Sequence, residues 1–290
     1  MENVLELNKI EKKIDNKSFI ELYNEATIDY EFWSKDFNMH FGYYVPFKTG
    51  FLKRDKMLNQ MNDKLFDMLA LERSSHIIDL GCGIGGTMNF GLKKYKDLKI
   101  TGCTLSEFQV DFGNKFLNNS RAQILNRDYR KTYFNDNVFD GAMAVESFCH
   151  SGCSKESLKE AYRIIKPNSK LVIADAFVNK EESVMNFLTK SVHEGLCKYW
   201  SLERLGNVKK VEEDMREIGF ENIEIKNIWY RVAPSVLHVP FAISGFVLRK
   251  LFKNEPLKKE SIDNMKGSFY ALLSALRIKD FGYYIISAEK

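Results

Sequence analysis

A chain of 290 residues, 44% hydrophobic and 28% charged, can bury a sizeable core, and its composition excludes a disordered or low-complexity protein. The net charge of +4 comes from scattered Lys and Arg, with no basic face, and argues against nucleic acid as a partner. Five cysteines, an odd number without a basic, apolar, small-residue leader, predict reduced thiols and a cytoplasmic protein, and no second ligand pair supports a metal at Cys149-x-x-x-Cys153.

Residues 1–70 read as a mostly helical lid segment, in which Val4, Leu7, Ile10 and Ile14 form one apolar stripe. An aromatic cluster follows within it: Tyr30, Phe32, Trp33, Phe37, Phe41, Tyr43, Tyr44 and Phe47. From about residue 71 to 290 a second unit is expected. There short apolar runs alternate with amphipathic segments, the pattern of a parallel sheet covered by helices. Strands are predicted near His76–Leu80, Lys99–Cys103, Ala122–Leu125, Phe139–Val145, Lys170–Ala176, Asn222–Trp229 and Tyr283–Ala288.

The first strand runs into IIDLGCGIGGT, Ile77 to Thr87, where a buried strand turns tightly into a helix. Gly81, Gly83 and Gly85 omit Cβ atoms where chain and ligand would collide, and the helix start offers unpaired N–H groups. Asp79 is placed to hold a cationic amine. The spacing Gly81-x-Gly83-x-x-Gly86 also matches a dinucleotide fingerprint, the reading of an NAD(P)-dependent oxidoreductase. That reading wants an acid at the second strand's tip, where Thr104 and Leu105 stand instead.

After the second strand, Thr104 and Gln109 are candidates for ribose hydroxyls, while Ser106 and Gln109 also read as a capping box. The helix from Ser106 to Leu117 should bury Phe108, Phe112 and Phe116 as one stripe. Arg127-Asp128-Tyr129 follows the third strand; Asp128 suits an adenine amino group and Tyr129 its ring. Directly after the fourth strand come Glu146-Ser147-Phe148-Cys149-His150, which puts Glu146 and His150 at the carboxyl edge of the sheet. Lys166-Pro167-Asn168-Ser169 predicts a turn. Helical lid insertions are expected near 182–208 and 236–276. The uncharged run Val232 to Leu248 contains Pro234, His238, Pro240 and Gly245, so it reads as a buried or interfacial apolar lid and leaves peripheral membrane contact open.

Taken together, IIDLGCGIGGT, TGCTLSEFQ and DNVFDGAMAVES resemble, in order and spacing, the motifs of the class I S-adenosylmethionine-dependent methyltransferases. Pro167-Asn168-Ser169 stands where that family usually has Pro-Gly-Gly. Asn38-Met39-His40-Phe41-Gly42-Tyr43-Tyr44 and the Glu146-Ser147-x-x-His150 pattern resemble the tocopherol and sterol C-methyltransferases and their plant N-methyltransferase relatives. The resemblance implies an α/β fold: a seven-stranded Rossmann-like methyltransferase sheet, mostly parallel with the last strand antiparallel. It implies S-adenosyl-L-methionine as cofactor, held by Asp79, Gly81, Gly83, Thr104, Leu105, Gln109, Asp128 and Tyr129.

Such an enzyme needs a dry pocket, an in-line approach and a proton acceptor. His150, as an imidazole with a pKa near neutrality, and Glu146 are the candidate catalytic groups. Rings around Tyr43 and Tyr44 are expected to face the sulfonium or a developing carbocation. The apolar lid favours a lipophilic small molecule, such as a phenol or quinol, terpenoid, polyketide or amine; the subfamily resemblance alone implies methylation on carbon or nitrogen. A catalytically silent, cofactor-binding partner protein is the other reading.

Overall fold

In the computed structural model, the described residues are Ile20, Thr27, 30–202 and 204–290; the Val4–Ile14 stripe lies outside them. The elements in chain order are α1 (Arg54–Leu69), β1 (His76–Leu80), α2 (Gly86–Lys94), β2 (Lys99–Thr104), α3 (Glu107–Leu117), β3 (Ala122–Asn126) and β4 (Phe139–Val145). A 3-10 turn, Phe148–Ser151, precedes α4 (Lys155–Ile164) and β5 (Ile165–Val178); a second, Glu182–Val184, precedes α5 (Phe187–Tyr199), α6 (Val208–Ile218) and β6 (Glu221–Asn227). The chain continues through α7 (Trp229–Val236), α8 (Val239–Phe252) and α9 (Lys259–Ala275) into β7 (Phe281–Glu289).

The seven strands form one sheet in the order β3-β2-β1-β4-β5-β7-β6. β1 to β5 pair in parallel, and β7 runs antiparallel between β5 and β6. The order reverses between β2-β1 and β4, so the carboxyl ends of β1 and β4 open a crevice, the place where open α/β sheets take ligands. Because β7 is reversed, its start (Phe281 to Tyr283) lies against the carboxyl end of β5 (Ala176 to Val178). That puts Tyr283 at the same edge as the end of β4.

Both sheet faces are covered, which explains why the central strands read as nearly continuous apolar runs. On one face Met61, Leu65 and Phe66 of α1 pack with Met88 of α2 and Val232 and Val236 of α7. On the other, Leu158, Ala161 and Ile164 of α4 pack with Val211 and Met215 of α6.

Three sequence expectations are corrected. The sixth strand stops at Asn227, whose side chain accepts the Trp229 N–H (2.9 Å); Trp229 onward is helix. The fifth strand is longer than expected, and the Lys166–Ser169 turn is a bend inside it: Asn168 sits at φ 63° and donates its N–H to the Lys290 carbonyl (2.7 Å). In α3 the buried side is Gln109, Gly113 and Leu117. Phe108, Phe112 and Phe116 are only half-buried, because that side faces the lead-in segment; Phe37 stands edge-on to Phe112 (5.6 Å) and Phe116 (5.4 Å).

Candidate active site

The turn after β1 is closed on itself by its neighbours. Gly81, at φ 89°, lies where a Cβ would come within 2.4 Å of Ser147 Cβ, and Gly83, at φ 55°, where one would come within 2.9 Å of Met39 Sδ. Ser147 donates its hydroxyl to the Leu80 carbonyl, and Tyr129 donates to the Ser147 carbonyl (2.6 Å). The loops after β1, β3 and β4 are therefore tied into one cradle. Gly81→Ala is expected to lose cofactor binding altogether and to lower stability by about 1–3 kcal/mol, through overpacking and a disfavoured backbone region. Calorimetry and denaturant unfolding would check both.

This cradle walls a cleft lined by Asp79, Gly81, Cys82, Gly83, Thr104, Leu105, Gln109, Asp128, Tyr129, Glu146 and His150. The structure thus brings together eight of the ten expected cofactor-binding positions. Gly85 is not on the cleft. It holds the turn at φ 88° behind it, where a Cβ would meet Leu117 (3.0 Å) and Ile124 (3.2 Å), so it serves packing. Tyr43 is also outside: its N–H donates to the Met57 carbonyl (2.8 Å), and Arg231 lies over its ring at 6.0 Å.

Within the cleft some side chains are already engaged. Thr104 donates to Gln109 Oε1 (2.6 Å), and Gln109 Nε2 donates to Thr27 Oγ1 (3.0 Å), so this pair braces the wall. Ser106 caps α3 by accepting the Gln109 N–H (3.0 Å), and Thr104 Oγ1 accepts the Ser106 N–H (3.3 Å) in the place where a capping box would put the Gln109 side chain. Asp128 is chelated by Arg130, with Nε at 3.0 and 2.9 Å from its two oxygens.

A second, larger cavity lies beside the first, with about 1470 Å³ of atom-free space including its mouth. Tyr30, Phe32, Trp33 and Phe41 line it, together with apolar side chains of α5, α8 and α9. The aromatic cluster therefore divides: these four face the cavity, Phe37 faces the cleft, and Phe47 points to solvent. The expectation that Tyr43 and Tyr44 face the reacting centre is corrected. Tyr44 instead stands edge-on to Phe51 (6.3 Å).

Tyr30, Met39, His40, Glu146 and His150 belong to both cavities, so the two spaces meet there. Glu146 takes a left-handed backbone at φ 47°, uncommon for a residue with a side chain and a form of strain found at functional sites. Its Oε1 accepts the Phe41 N–H (2.6 Å) and the Tyr283 hydroxyl (2.8 Å). One carboxyl thus joins the lead-in segment, the end of β4 and the start of β7. Asp175, at the end of β5, lines the same cavity and accepts the N–H groups of Cys149 (2.9 Å) and Ala176 (2.8 Å).

Burial sets the protonation of these groups. It pushes the Asp79 carboxyl up to about 7. Glu146 is pushed up to about 8, burial and the neighbouring Asp175 outweighing its two hydrogen-bond donors. Asp175 rises to about 6, also by burial. His150 falls to about 3 by burial. The surface that Glu146 and His150 keep open faces the cavities rather than bulk water, so the desolvation holds. The expectation of His150 as a base near neutrality is thereby corrected: a desolvated imidazole stays neutral and proton-poor, whereas Glu146 holds its proton at neutral pH.

Sequence reasoning passed over His40, Asp175 and Tyr283. His40 stood inside the quoted lead-in motif, and its burial was the missing information. Its Nε2 is buried with no hydrogen-bond partner among the described residues. Asp175, at the carboxyl end of β5, had the same kind of signal as Glu146.

Residues 78–173, the stretch that holds the glycine turn and the end of β4, match the family described as "Methyltransferase domain". The chain carries a class I, S-adenosylmethionine-dependent methyltransferase domain and resembles the sterol C-methyltransferases. It is 27% identical over 214 residues to the 24-methylenesterol C-methyltransferase 3 of Arabidopsis thaliana, covering 71% of this chain and 57% of that one. It is 30% identical over 200 residues to the sterol 4-C-methyltransferase strm-1 of Caenorhabditis elegans, covering 64% and 57%. The match thus spans little more than half the length of these relatives. Among solved structures, the cyclopropane synthase MmaA2 of Mycobacterium tuberculosis superposes with a TM-score of 0.78 at 14% identity, over 94% of this chain and 98% of that one. That last likeness is one of fold.

Proposed function

We propose that this chain transfers the methyl group of S-adenosylmethionine to an alkene carbon of a lipophilic small molecule of the sterol or terpenoid class. The observation that carries the reading is the junction of the two cavities at Glu146, with a polar cleft on one side and an aromatic, apolar chamber on the other. The cleft fits the cofactor: a desolvated Asp79 for its ammonium, Gly81 and Gly83 without Cβ atoms for close approach, and the Tyr129 ring in the wall. Bound there, the cofactor supplies an electrophilic methyl on a sulfonium.

The chain's own residues then have three tasks. Rings of Tyr30, Phe32, Trp33 and Phe41 exclude water and present faces to positive charge. A sulfonium beside it favours the ionised form of Glu146, which burial otherwise holds protonated near neutrality; that carboxylate, aided by Asp175, stabilises the cation that forms when the alkene's π pair takes the methyl and the carbon–sulfur bond breaks. Glu146 then accepts the proton lost from the neighbouring carbon, which restores a double bond and leaves S-adenosylhomocysteine. The names of the sterol relatives support carbon as the acceptor. An amine acceptor is the second reading, favoured by the two buried carboxyls in one chamber.

Calorimetric titration with S-adenosylmethionine and S-adenosylhomocysteine, with NADH and NADPH as controls, tests the cofactor. A screen of sterols, prenylated phenols and tertiary or secondary amines with methyl-labelled cofactor tests the acceptor. Binding without label transfer to any of them would leave a cofactor-binding protein without this activity.

A further inference from the structure

The helix α8 is apolar on both sides. Val239, Ala242, Ile243 and Phe246 form one side and line the acceptor chamber. On the opposite side Phe241 is 77%, Leu248 53% and Phe252 87% exposed. A helix at a protein surface normally turns polar residues outward; one that is apolar all round meets a second apolar phase. The turn before α1 adds to the same surface. Phe47 and Leu52 stand exposed there, and Phe51 joins the turn to α8, its carbonyl 2.8 Å from His238 Nε2 and its ring 6.3 Å from that imidazole. Contiguous exposed apolar side chains of this kind mark an interaction site.

Charge selects the occupant. No Asp or Glu occurs from Trp229 to Asn254 or from Val45 to Arg54, whereas Arg249, Lys253, Lys48 and Lys53 fall within these stretches; Lys250 lies on the chamber side, over the Phe246 ring (5.6 Å). Glu255, just beyond, pairs with Lys250 (2.9 Å). We propose that this face docks on the surface of an anionic lipid bilayer, with Phe241, Leu248 and Phe252 in the headgroup–acyl boundary and the cations at the phosphates. Two copies of the chain meeting through this face would bring cations against cations. The helical run Trp229–Phe252 is long and apolar enough to cross a membrane, and 22% of its most apolar stretch is buried. Its inner side is committed to the chamber, with Phe246 edge-on to Phe32 at 6.3 Å, so it lies on the bilayer and does not traverse it. Where the acceptor is the lipophilic molecule proposed above, one helix then separates bilayer from chamber, and the substrate need not cross bulk water.

Flotation of the full chain with vesicles tests this without any turnover, so its outcome is independent of the methyl acceptor. Binding is expected to vesicles of phosphatidylcholine with phosphatidylserine, to weaken on raising salt, and to be weak on phosphatidylcholine alone. The triple variant Phe241→Glu, Leu248→Glu, Phe252→Glu should reduce the bound fraction by about tenfold or more, with its thermal unfolding unchanged because all three side chains are exposed. The proposal is overturned if the parent fails to float with anionic vesicles, if it floats equally with phosphatidylcholine alone, or if the triple variant floats like the parent. A parent dimer by light scattering that the triple variant dissolves, with no flotation, would make this face a contact between copies instead.

Discussion

Glu146→Gln is expected to lower methyl transfer by about 10²–10⁴-fold while leaving the affinity for S-adenosylhomocysteine nearly unchanged. The amide retains an oxygen that accepts the Phe41 N–H and the Tyr283 hydroxyl, so the lead-in segment stays pinned. What is lost is the charge beside the cation and the ability to take its proton. The same substitution has a signature in stability. Burial raises the Glu146 pKa from 4.5 to about 8, so the folded state holds this proton more tightly than the unfolded chain does. The linkage sign follows: stability from this group is full below the unfolded value and falls as pH rises through the folded one. Denaturant unfolding between pH 5 and 8 should therefore show a decline in the parent that is shallower in Glu146→Gln. A variant turning over within tenfold of the parent would remove Glu146 from the chemistry.

Asp79→Ala is expected to weaken cofactor binding by roughly 30- to several-thousand-fold, the cost of about 2–5 kcal/mol for deleting one member of a desolvated charge pair. Its pH dependence is the sharper test. The Asp79 carboxyl sits at about 7 because burial disfavours its charge. An ammonium bound beside it favours the ionised form, so binding at pH 7 should release about half a proton. Affinity should rise as pH increases through that value. Titrations with S-adenosylhomocysteine in buffers of different ionisation enthalpy would count the proton, and Asp79→Asn should abolish the count. An unchanged count would assign the linkage to another group.

The central strands could be read from the sequence because their chemistry is local. Ile77–Leu80 and Phe139–Val145 are apolar runs that end in a glycine or at a polar cluster, and the topology then follows from alternation with helices. The glycine turn was legible for the same reason, since φ near 89° at Gly81 excludes a side chain. The facing of the aromatic cluster was not. Whether Tyr30 or Tyr43 reaches the reacting centre depends on contacts with α7 and α8, more than 180 residues away in the chain. Burial is likewise a property of the whole fold, and it is burial that carries His150 to about 3 and Glu146 to about 8. The end of the sixth strand turned on one asparagine side chain, Asn227, which accepts the N–H of Trp229 at the start of a helix that alternation alone read as strand.

The reversal of β7 also bears on how the protein is made. Phe41, Glu146 and Tyr283 meet at one carboxyl, and they are synthesised early, midway and late. While the nascent chain lacks β7, Glu146 has no Tyr283 to bind, and β5 keeps an open pairing edge over Lys170 to Val178. Ribosome-bound intermediates therefore have an exposed edge strand and no assembled active site, and β7 removes both deficits when it docks.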